Sequence, residues 1–532
     1  MVIETIVISN YKCFTNFEFT FNPDLNIFVG DNEVGKSTIL EAVHLCLTGQ
    51  LNGKSLLQEL SPFLFNASVT QQYVTSVREG RTCPLPKICI ELWLKESANL
   101  SHLRGSINSK RKDSIGVSLS IDFDEEYQED YQLFLNEKDS ITTIPAEYYR
   151  VRWHSFSDNA ITKRSFPIKS ILIDTTMIKL QYGTDYYIQS VLNNHLSTKE
   201  RTQLALAYRK LKESFGGQDP IKSINSKLKE DKNITSRNFS LSIDITQRSG
   251  WEANLTAYLD DIPFQFIGKG EQNIIKTLLA LQKRAEDAHL IGIEEPENHL
   301  SFSSMSKLIK KIIEKCHDKQ LLITTHSAYV LNKLGMEKVV LLNRDGRIAK
   351  LTQLSTSTQE YFKKLPGYDT LRILLAKKTI LVEGPSDELF IQKIYTNKHA
   401  RLPIDDGIDV MSVRGLSFKR FLEIADLLKK EVLVITDNDG DHRIKVIEKY
   451  KDFQKSETIK IIYDSDDSCR TLEPQFAKAN SLDTLNSIFQ KDYLTKDEVV
   501  DYMIKNKTEW AINIFETNVP FTIPPYLDVA IQ

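Results

Sequence analysis

The sequence lacks the features that mark membrane, secreted or disulfide-stabilised proteins. No stretch approaches the roughly 18 uninterrupted apolar residues that a membrane-spanning helix needs. The first residues alternate as a strand does, with no basic region followed by a long apolar run, so we expect no signal peptide. The six cysteines are scattered without CxxC spacing, which argues against a zinc site or a disulfide framework. These absences favour a cytoplasmic protein with no membrane partner.

An excess of positive charge is also missing. The 532-residue chain carries 68 lysines and arginines against 71 acidic residues, which gives a net charge of −3. Nucleic acid, if it is a partner, must therefore bind to a local basic face. Lys110, Arg111 and Lys112 form one basic run, which a solvated loop explains at least as well. The length exceeds what a single hydrophobic core supports, so we expect two to four domains.

The order of strand-like and helix-like patterns indicates an α/β protein. Alternating runs between about residues 85 and 165 predict an antiparallel layer, and a polar helical pattern follows from about 166 to 245. Beyond about residue 355, apolar strands alternate with helices, which predicts a parallel sheet. These shifts place boundaries near residues 165, 245 and 360.

A glycine-rich turn between a strand and a helix is the first motif with a chemical role. Residues 30–37, GDNEVGKS, match G-x-x-x-x-G-K-S in the strand–loop–helix context that this motif requires. Gly30 and Gly35 let backbone N–H groups turn toward phosphate oxygens, and the helix N-terminus adds partial positive charge. Lys36 would reach the β- and γ-phosphates of a nucleotide, and Ser37 would ligate Mg²⁺. A chance glycine-rich turn is the alternative.

Two later apolar strands end in polar residues. Residues 290–293 lead into Glu294 and Glu295, and residues 322–325 lead into His326. A buried strand has no structural reason to end in adjacent acids, because each acid needs a partner. Glu294 would hold Mg²⁺, Glu295 would orient or deprotonate the attacking water, and His326 would sense the γ-phosphate. A solvated strand end and a structural histidine are the alternatives.

Together these motifs resemble those of an ABC-type ATPase of the SMC/RecF-like branch. That family also has a signature sequence at the start of a helix, usually Ser-Gly-Gly followed by Glu or Gln. Here glycine stands in the serine position and lysine in the next one. The resemblance implies ATP and Mg²⁺ as cofactors, and a site completed across a homodimer or a higher oligomer. The nucleotide contacts that it implies are Gly30, Asn32, Glu33, Gly35, Lys36, Ser37, Thr38, Gly268, Gly270 and Glu271.

A second group of acids lies in the C-terminal third of the sequence. Glu383 ends an apolar strand and Asp387 opens the next helix, while Asp437 and Asp439 follow the strand at residues 432–436. Carboxylates that converge at strand ends form a hard oxygen site suited to Mg²⁺ or Mn²⁺. A structural role, in which acids cap the loops of an α/β fold, would explain any one of these residues. It explains the presence of all of them together poorly.

These acidic strings resemble the TOPRIM domain shared by topoisomerases, primases and overcoming lysogenization defect (OLD) nucleases. EGPSD at 383–387 and DNDGD at 437–441 match its Glu and Asp-x-Asp motifs, and residues 413–417 fit its glycine turn. Two later matches favour the OLD branch, in which Glu473 would be a metal ligand and Lys507 would stabilise charge on the transferring phosphate. The resemblance implies phosphodiester hydrolysis with two Mg²⁺ or Mn²⁺ ions.

An ABC ATPase followed by a TOPRIM domain is the domain order of the OLD family. The resemblance implies one ATPase lobe at 1–165, a helical dimerisation insertion at 166–245, a second ATPase lobe at 246–360 and a TOPRIM nuclease domain at 361–532. It implies an ATP-dependent endonuclease that cuts double-stranded DNA in bacterial anti-phage defence. A retron reverse transcriptase with its msDNA, or another defence protein, is a candidate partner.

Other functions stay open on the sequence alone. An ATP-gated DNA-binding or repair protein without nuclease activity would need an impaired metal site, whereas the acids here are intact. A type I topoisomerase or primase would need a tyrosine nucleophile domain or a polymerase pocket, and would leave the ATPase unexplained. The sequence does not distinguish a nuclease that cuts DNA from a TOPRIM ribonuclease that acts on tRNA, because DNA and RNA present the same phosphodiester.

Overall fold

A computed structural model describes most of the chain. The described residues are 2–81, 83–136, 138–162, 166–174, 180–181, 184–185, 196–230, 240–244, 251, 256–281, 288–343, 348–364, 370–413 and 418–531. The chain divides into two compact units, Met1–Leu25 with Ser37–Thr324, and Asn26–Lys36 with Thr325–Gln532. The glycine-rich loop therefore belongs to the second unit, while the Glu294–Glu295 pair belongs to the first.

Short strands and helices alternate along the chain. The strands of three or more residues are β1 (Ile3–Tyr11), β2 (Phe14–Thr20), β3 (Leu25–Gly30), β4 (Ile88–Leu94), β5 (Ser114–Phe123), β6 (Tyr149–Ser155), β7 (Ser170–Asp174), β8 (Leu290–Glu294), β9 (Gln320–Thr324), β10 (Val339–Leu342), β11 (Ile348–Lys350), β12 (Lys378–Val382), β13 (Ile408–Ser412), β14 (Glu431–Ile435) and β15 (Ile459–Ile462). The α-helices are α1 (Lys36–Thr48), α2 (Ala67–Arg78), α3 (Gln128–Leu135), α4 (Thr198–Phe215), α5 (Asp219–Glu230), α6 (Lys269–Leu279), α7 (Phe302–Lys315), α8 (Ala328–Leu334), α9 (Thr356–Lys364), α10 (Thr370–Leu375), α11 (Pro385–His399), α12 (Phe418–Leu428), α13 (Leu472–Ala479), α14 (Leu482–Phe489), α15 (Lys496–Lys505) and α16 (Lys507–Glu516).

The first unit contains an antiparallel sheet in the order β2-β1-β4-β5, and β5 also pairs with β6. Alternate residues of a strand face the same side of a sheet. Ile6 and Ile8 of β1 are fully buried, and so are Val117, Leu119 and Ile121 of β5. The antiparallel layer predicted between residues 85 and 165 is therefore confirmed.

A parallel sheet, β7-β8-β9, also lies in the first unit. β7 corrects the predicted boundary of the helical insertion, because residues 170–174 form a strand within the span 166–245. This strand has only three consecutive apolar residues, too few for their periodicity to distinguish a strand from a helix. Its partner β8 is distant in sequence. Farther along that span, α4 and α5 are helical, and α4 begins with a capping box formed by Ser197 and Glu200. Residues 186–195 of the span that the sequence predicts to be helical lie outside the described residues.

The second unit holds β3 parallel to β10, which pairs antiparallel with β11. It also holds a four-stranded parallel sheet in the order β13-β12-β14-β15, as the sequence predicts for the C-terminal region. Ile380, Leu381 and Val382 of β12 are fully buried, as expected for a parallel strand covered on both faces. The core beside this sheet includes the fully buried Trp510 of α16. None of the helices in the described segments combines the length and apolar character that crossing a membrane requires.

Candidate functional site

The glycine-rich loop joins β3 to α1. Gly35 has a φ of +101°, a conformation that side chains disfavour. A Cβ atom on Gly30 would lie 2.5 Å from the carbonyl oxygen of Leu342, so the backbone approach there requires glycine. The ammonium group of Lys36 donates to the carbonyl oxygens of Gly30 (2.9 Å) and Asp31 (2.7 Å), and the residue is only 7% exposed. Positive charge is thus concentrated within the loop, where an anionic phosphate would be stabilised.

The remaining predicted loop contacts lie at its tip and in the first turn of α1. Asn32 and Glu33 are exposed, and Glu33 has a φ of +66°. Ser37 is exposed, whereas Thr38 is half-buried and its hydroxyl oxygen accepts a 3.6 Å hydrogen bond from the Cys13 thiol. The tip residues are therefore accessible to a ligand, while Thr38 is partly engaged within the fold.

Glu294 stands at the end of β8 with a second carboxylate beside it. Asp174 ends β7 and is paired in register with Glu294. Burial, followed by the negative charge of Asp174, raises the pKa of Glu294 to about 7, while a hydrogen bond with Ser37 lowers it. A cation at this point would relieve the repulsion between the two acids. Sequence reasoning missed Asp174, although its context, an apolar strand ending in an acid, repeats that of Glu294.

Glu295 is held in a strained backbone conformation. Its φ is +41°, and its N–H donates to the carbonyl oxygen of Thr324 (3.0 Å). The side-chain amide of Asn298 donates to the Glu295 carboxylate (2.8 Å) and fixes its orientation. Strain of this kind is retained where the surrounding structure imposes it, often at functional positions. Asn298 is a second residue that the sequence analysis did not single out.

The predicted signature residues begin α6. Gly268 is the N-cap, and a Cβ atom there would meet open space, so a serine would fit sterically. Gly270 differs, because its Cβ would lie 2.4 Å from the carbonyl oxygen of His299. Glu271 is exposed, while the buried Asn273 donates to the carbonyl oxygen of Asn298 (2.8 Å). The start of α6 is therefore fixed against the loop that carries Glu295.

His326 is exposed and lies two residues before α8. It follows the buried Thr325, whose N–H donates to the carbonyl oxygen of Phe28 in β3 (3.2 Å). It precedes Ser327, whose hydroxyl caps α8 by accepting from the N–H of Val330. His326 is thus held next to the strand that leads into the glycine-rich loop.

Four of the predicted nuclease acids come together at the carboxyl ends of β12 and β14. Glu383, Asp387 and Asp437 line one small pocket. Burial, followed by the charges of Glu383, Asp387 and Glu473, raises the pKa of Asp437 to about 9. Burial is also the main cause that raises the pKa of Asp387 to about 6, against a lowering hydrogen bond from the Gly384 N–H. Glu473, in the first turn of α13, is 4% exposed.

Lys507 lies beside these acids, whereas Asp439 is not gathered with them. The Lys507 ammonium stands 3.8 Å from the Glu473 carboxylate, and its side chain is 61% exposed. Asp439 is exposed with a φ of +51°, and its N–H donates to the carbonyl oxygen of Arg470 (3.3 Å). Between the two aspartates, Asn438 is fully buried and donates to the carbonyl oxygens of three loop residues, Asp464, Asp466 and Cys469. Residues 414–417 of the predicted glycine turn lie outside the described residues.

The acidic pocket fits a divalent cation by its chemistry. Its oxygens are hard carboxylate ligands. The raised pKa of Asp437 reflects burial first and then the neighbouring negative charges, which a cation would neutralise. Glu383 accepts hydrogen bonds from the Thr436 hydroxyl (2.6 Å) and the Asp437 N–H (3.1 Å), and Asp387 accepts one from the Gly384 N–H (2.9 Å). Among the described residues no three acidic, histidine or cysteine side chains already lie at ion-binding distances, so a bound ion would have to draw the carboxylates closer together.

Comparison with protein families agrees with this division of sites. The model for the "overcoming lysogenization defect protein-like, TOPRIM domain" family matches residues 374–439. An AAA ATPase domain model matches residues 1–249, and a further AAA domain model matches residues 254–332. The predicted fold class, an ATPase domain followed by a TOPRIM parallel sheet, is therefore confirmed.

Individual proteins are similar to the chain over different lengths. Endonuclease GajA of Bacillus cereus (strain VD045) is 20% identical over 463 residues, which cover 82% of this chain and 75% of that protein. The DNA replication and repair protein RecF of Ruminiclostridium cellulolyticum is 41% identical over 63 residues, 12% of this chain and 17% of that protein. The solved SMC head domain from Thermotoga maritima aligns with 66% of this chain and 99% of its own at 11% identity, with a TM-score of 0.30. On these matches, the chain carries an ATPase region ahead of a TOPRIM domain of the overcoming lysogenization defect protein-like type, and it is similar to an endonuclease over most of its length.

Proposed function

We propose that this protein is an ATPase and a divalent-metal-dependent endonuclease that cuts double-stranded DNA. The observation that carries the proposal is the meeting of Glu383, Asp387, Asp437 and Glu473, with Lys507 beside them, at one edge of a TOPRIM sheet. Similarity to an endonuclease over most of the chain supports the same reaction class.

At the nuclease site the four carboxylates would hold Mg²⁺ or Mn²⁺, and we propose that two ions bind. Bound ions of this kind activate water and stabilise the leaving oxygen of a phosphodiester. The exposed Lys507 ammonium would bind the phosphate and offset its developing negative charge. Asp439, exposed next to this pocket, is our candidate for a ligand that joins when substrate or metal arrives.

At the ATPase site we propose that Lys36 binds the β- and γ-phosphates and that Ser37 and Glu294 hold Mg²⁺. Glu295 would accept a proton from the attacking water, with its carboxylate held in place by Asn298. His326 would contact the γ-phosphate. The exposed Glu271 at the start of α6 would face the nucleotide of a second copy, so we also propose a homodimer, with α4 and α5 as a further contact between copies.

The direct test offers several nucleic acids to the purified protein. Supercoiled plasmid, linear duplex, single-stranded DNA and tRNA are each incubated with Mg²⁺ or Mn²⁺, with and without ATP. We expect cleavage of duplex DNA that requires the divalent ion. Cleavage of tRNA alone would instead assign a ribonuclease, and metal-independent or absent cleavage of all four would contradict the proposal.

A role in defence against phage is a further proposal that rests on the family resemblance. Cells that express the wild-type protein should reduce plaque formation, and cells that express an inactive nuclease variant should not. Equal plaque counts in the two strains, tested across several unrelated phages, would count against that role. A cytoplasmic location and a retron reverse transcriptase with msDNA as partner are proposals on the same basis, and co-purification of msDNA with the protein would test the latter.

A further inference from the structure

The C-terminal segment of the chain, residues 517–531, packs against the helices that carry the nuclease acids. The Lys393 ammonium in α11 donates to the carbonyl oxygen of Thr517 (2.8 Å). Asn480, at the end of α13, exchanges hydrogen bonds with the backbone of Thr522 at 2.8 and 2.7 Å. The His399 ring bonds the carbonyl oxygen of Ile531 at 2.8 Å. This segment is therefore held along its length by α11 and by the residue that ends α13.

Tyr526 brings this segment into the acidic pocket. Its side chain lines the pocket together with Glu383, Asp387 and Asp437. Its hydroxyl donates a 2.6 Å hydrogen bond to the side-chain carbonyl of Gln475. A phenol is protonated at neutral pH, so Tyr526 is the donor and the Gln475 side-chain oxygen is the acceptor of this bond.

Gln475 connects Tyr526 to Cys469, in a loop that also binds the residue between Asp437 and Asp439. It is 3% exposed, and its amide donates to the carbonyl oxygen of Cys469 (3.0 Å). The same carbonyl oxygen accepts from the buried side chain of Asn438 (3.2 Å). Asn438 lies between Asp437 and Asp439. A continuous set of hydrogen bonds thus runs from the Tyr526 hydroxyl to the residue that separates the two aspartates.

We infer that Tyr526 is a positioning residue of the nuclease site, acting through Gln475 on the loop that presents Asp437. The inference rests on the proposed function in one respect, namely that this site binds a divalent cation. A carboxylate contributes to metal affinity only if its position is maintained when the hydrogen bonds of the free site are exchanged for bonds to the ion. The buried amide groups of Gln475 and Asn438 maintain that position, and the Tyr526 hydroxyl fixes the orientation of the first of them.

The test replaces only the hydroxyl. Tyr526→Phe keeps the ring that packs in the pocket wall, and we expect Mn²⁺ to bind about 2- to 10-fold more weakly, the range for loss of one hydrogen bond. Binding is measured by calorimetry on the full chain without nucleic acid. Cleavage should require proportionally more Mn²⁺, with the rate at saturating Mn²⁺ changed less than the half-saturating concentration.

A matched control separates positioning from packing. Tyr395 in α11 also donates a 2.6 Å hydrogen bond, to Asp406, and it does not line the acidic pocket. Tyr395→Phe removes an equivalent hydroxyl, so it should leave Mn²⁺ affinity at the wild-type value. Equal weakening of Mn²⁺ binding by both substitutions would overturn the inference, because it would indicate general loosening of the domain.

A double-mutant cycle tests the path through Gln475. Gln475→Met removes both the acceptor for Tyr526 and the donor to Cys469, so adding Tyr526→Phe to it should cause no further loss of affinity. Unchanged Mn²⁺ affinity in Tyr526→Phe, or a double variant whose loss equals the product of the single losses, would overturn the inference. A wild-type protein that binds Mn²⁺ and cuts no nucleic acid, while Tyr526→Phe still weakens binding, would contradict the nuclease function and support the positioning role.

Discussion

The two candidate sites differ in the charge that the fold supplies. The glycine-rich loop offers backbone N–H groups and the nearly buried ammonium of Lys36, which suits an anionic ligand. Three carboxylates line the acidic pocket at the ends of β12 and β14, a fourth, that of Glu473, lies near them, and the nearby cation, Lys507, is 61% exposed. The first site provides its own positive charge, whereas the second must acquire it from bound cations. Metal removal should therefore affect nucleic acid cleavage more severely than nucleotide binding.

Removal of two aspartates should give the largest effect. Asp437→Ala combined with Asp439→Ala leaves too few carboxylates to hold a metal ion against the charge of the scissile phosphate. We expect plasmid cleavage to fall at least about a thousandfold, because charge stabilisation in the transition state is lost. ATP hydrolysis should stay near the wild-type rate. Cleavage by the double variant at the wild-type rate would place the nuclease site elsewhere.

Removal of the Lys36 ammonium tests the other candidate site, the glycine-rich loop. Lys36→Ala should abolish ATP binding measured by calorimetry, because no other side chain in residues 30–36 provides positive charge. Mn²⁺ binding to the acidic pocket should remain. Wild-type ATP affinity in a folded Lys36→Ala protein would contradict the assignment of this loop.

Glu295→Gln should separate ATP binding from ATP hydrolysis. The amide cannot accept a proton, so hydrolysis should slow by about 10²- to 10⁴-fold while ATP still binds. Glu314→Gln, at an exposed position in α7, is the control and should hydrolyse ATP at the wild-type rate. Normal turnover by Glu295→Gln would remove Glu295 from the proposed role.

The nuclease lysine should give a smaller loss of a different kind. Lys507→Ala keeps the carboxylates, so Mn²⁺ affinity should hold, while cleavage should fall by about 10²- to 10³-fold. Lys505→Ala changes an exposed lysine at the end of α15 and should cleave normally. If Mn²⁺ binding and cleavage fell together in Lys507→Ala, the lysine would be maintaining the pocket rather than contacting the phosphate.

The smallest effect is expected at Asn298. Asn298→Ala removes one hydrogen bond to the Glu295 carboxylate and should slow ATP hydrolysis by about 2- to 10-fold. The Km for ATP should be unchanged, because Asn298 is not proposed to contact the nucleotide. A loss as large as that of Glu295→Gln would mean that Asn298 orients the water itself.

The sequence was informative where an apolar strand runs directly into a functional group. That arrangement makes Glu294, Glu383 and Asp437 candidate site residues, because the end of a buried strand and the acid that follows it lie in one local segment. Asp174 has the same arrangement, but its strand has only three apolar residues and its partner strand is distant in sequence. Asn298, Gln475 and Tyr526 could not be identified, because their roles arise from hydrogen bonds made after the chain has folded.

Trp510 gives the second unit an optical signal of its own. The sequence has four tryptophans, and the other three, Trp93, Trp153 and Trp251, belong to the first unit. Trp510 is fully excluded from solvent and packs near Phe476, with ring centroids 6.4 Å apart. Replacing the other three with phenylalanine would leave an emission spectrum that reports solely on the core beside the nuclease sheet. Its red shift on heating would then follow the melting of that core separately from the rest of the chain.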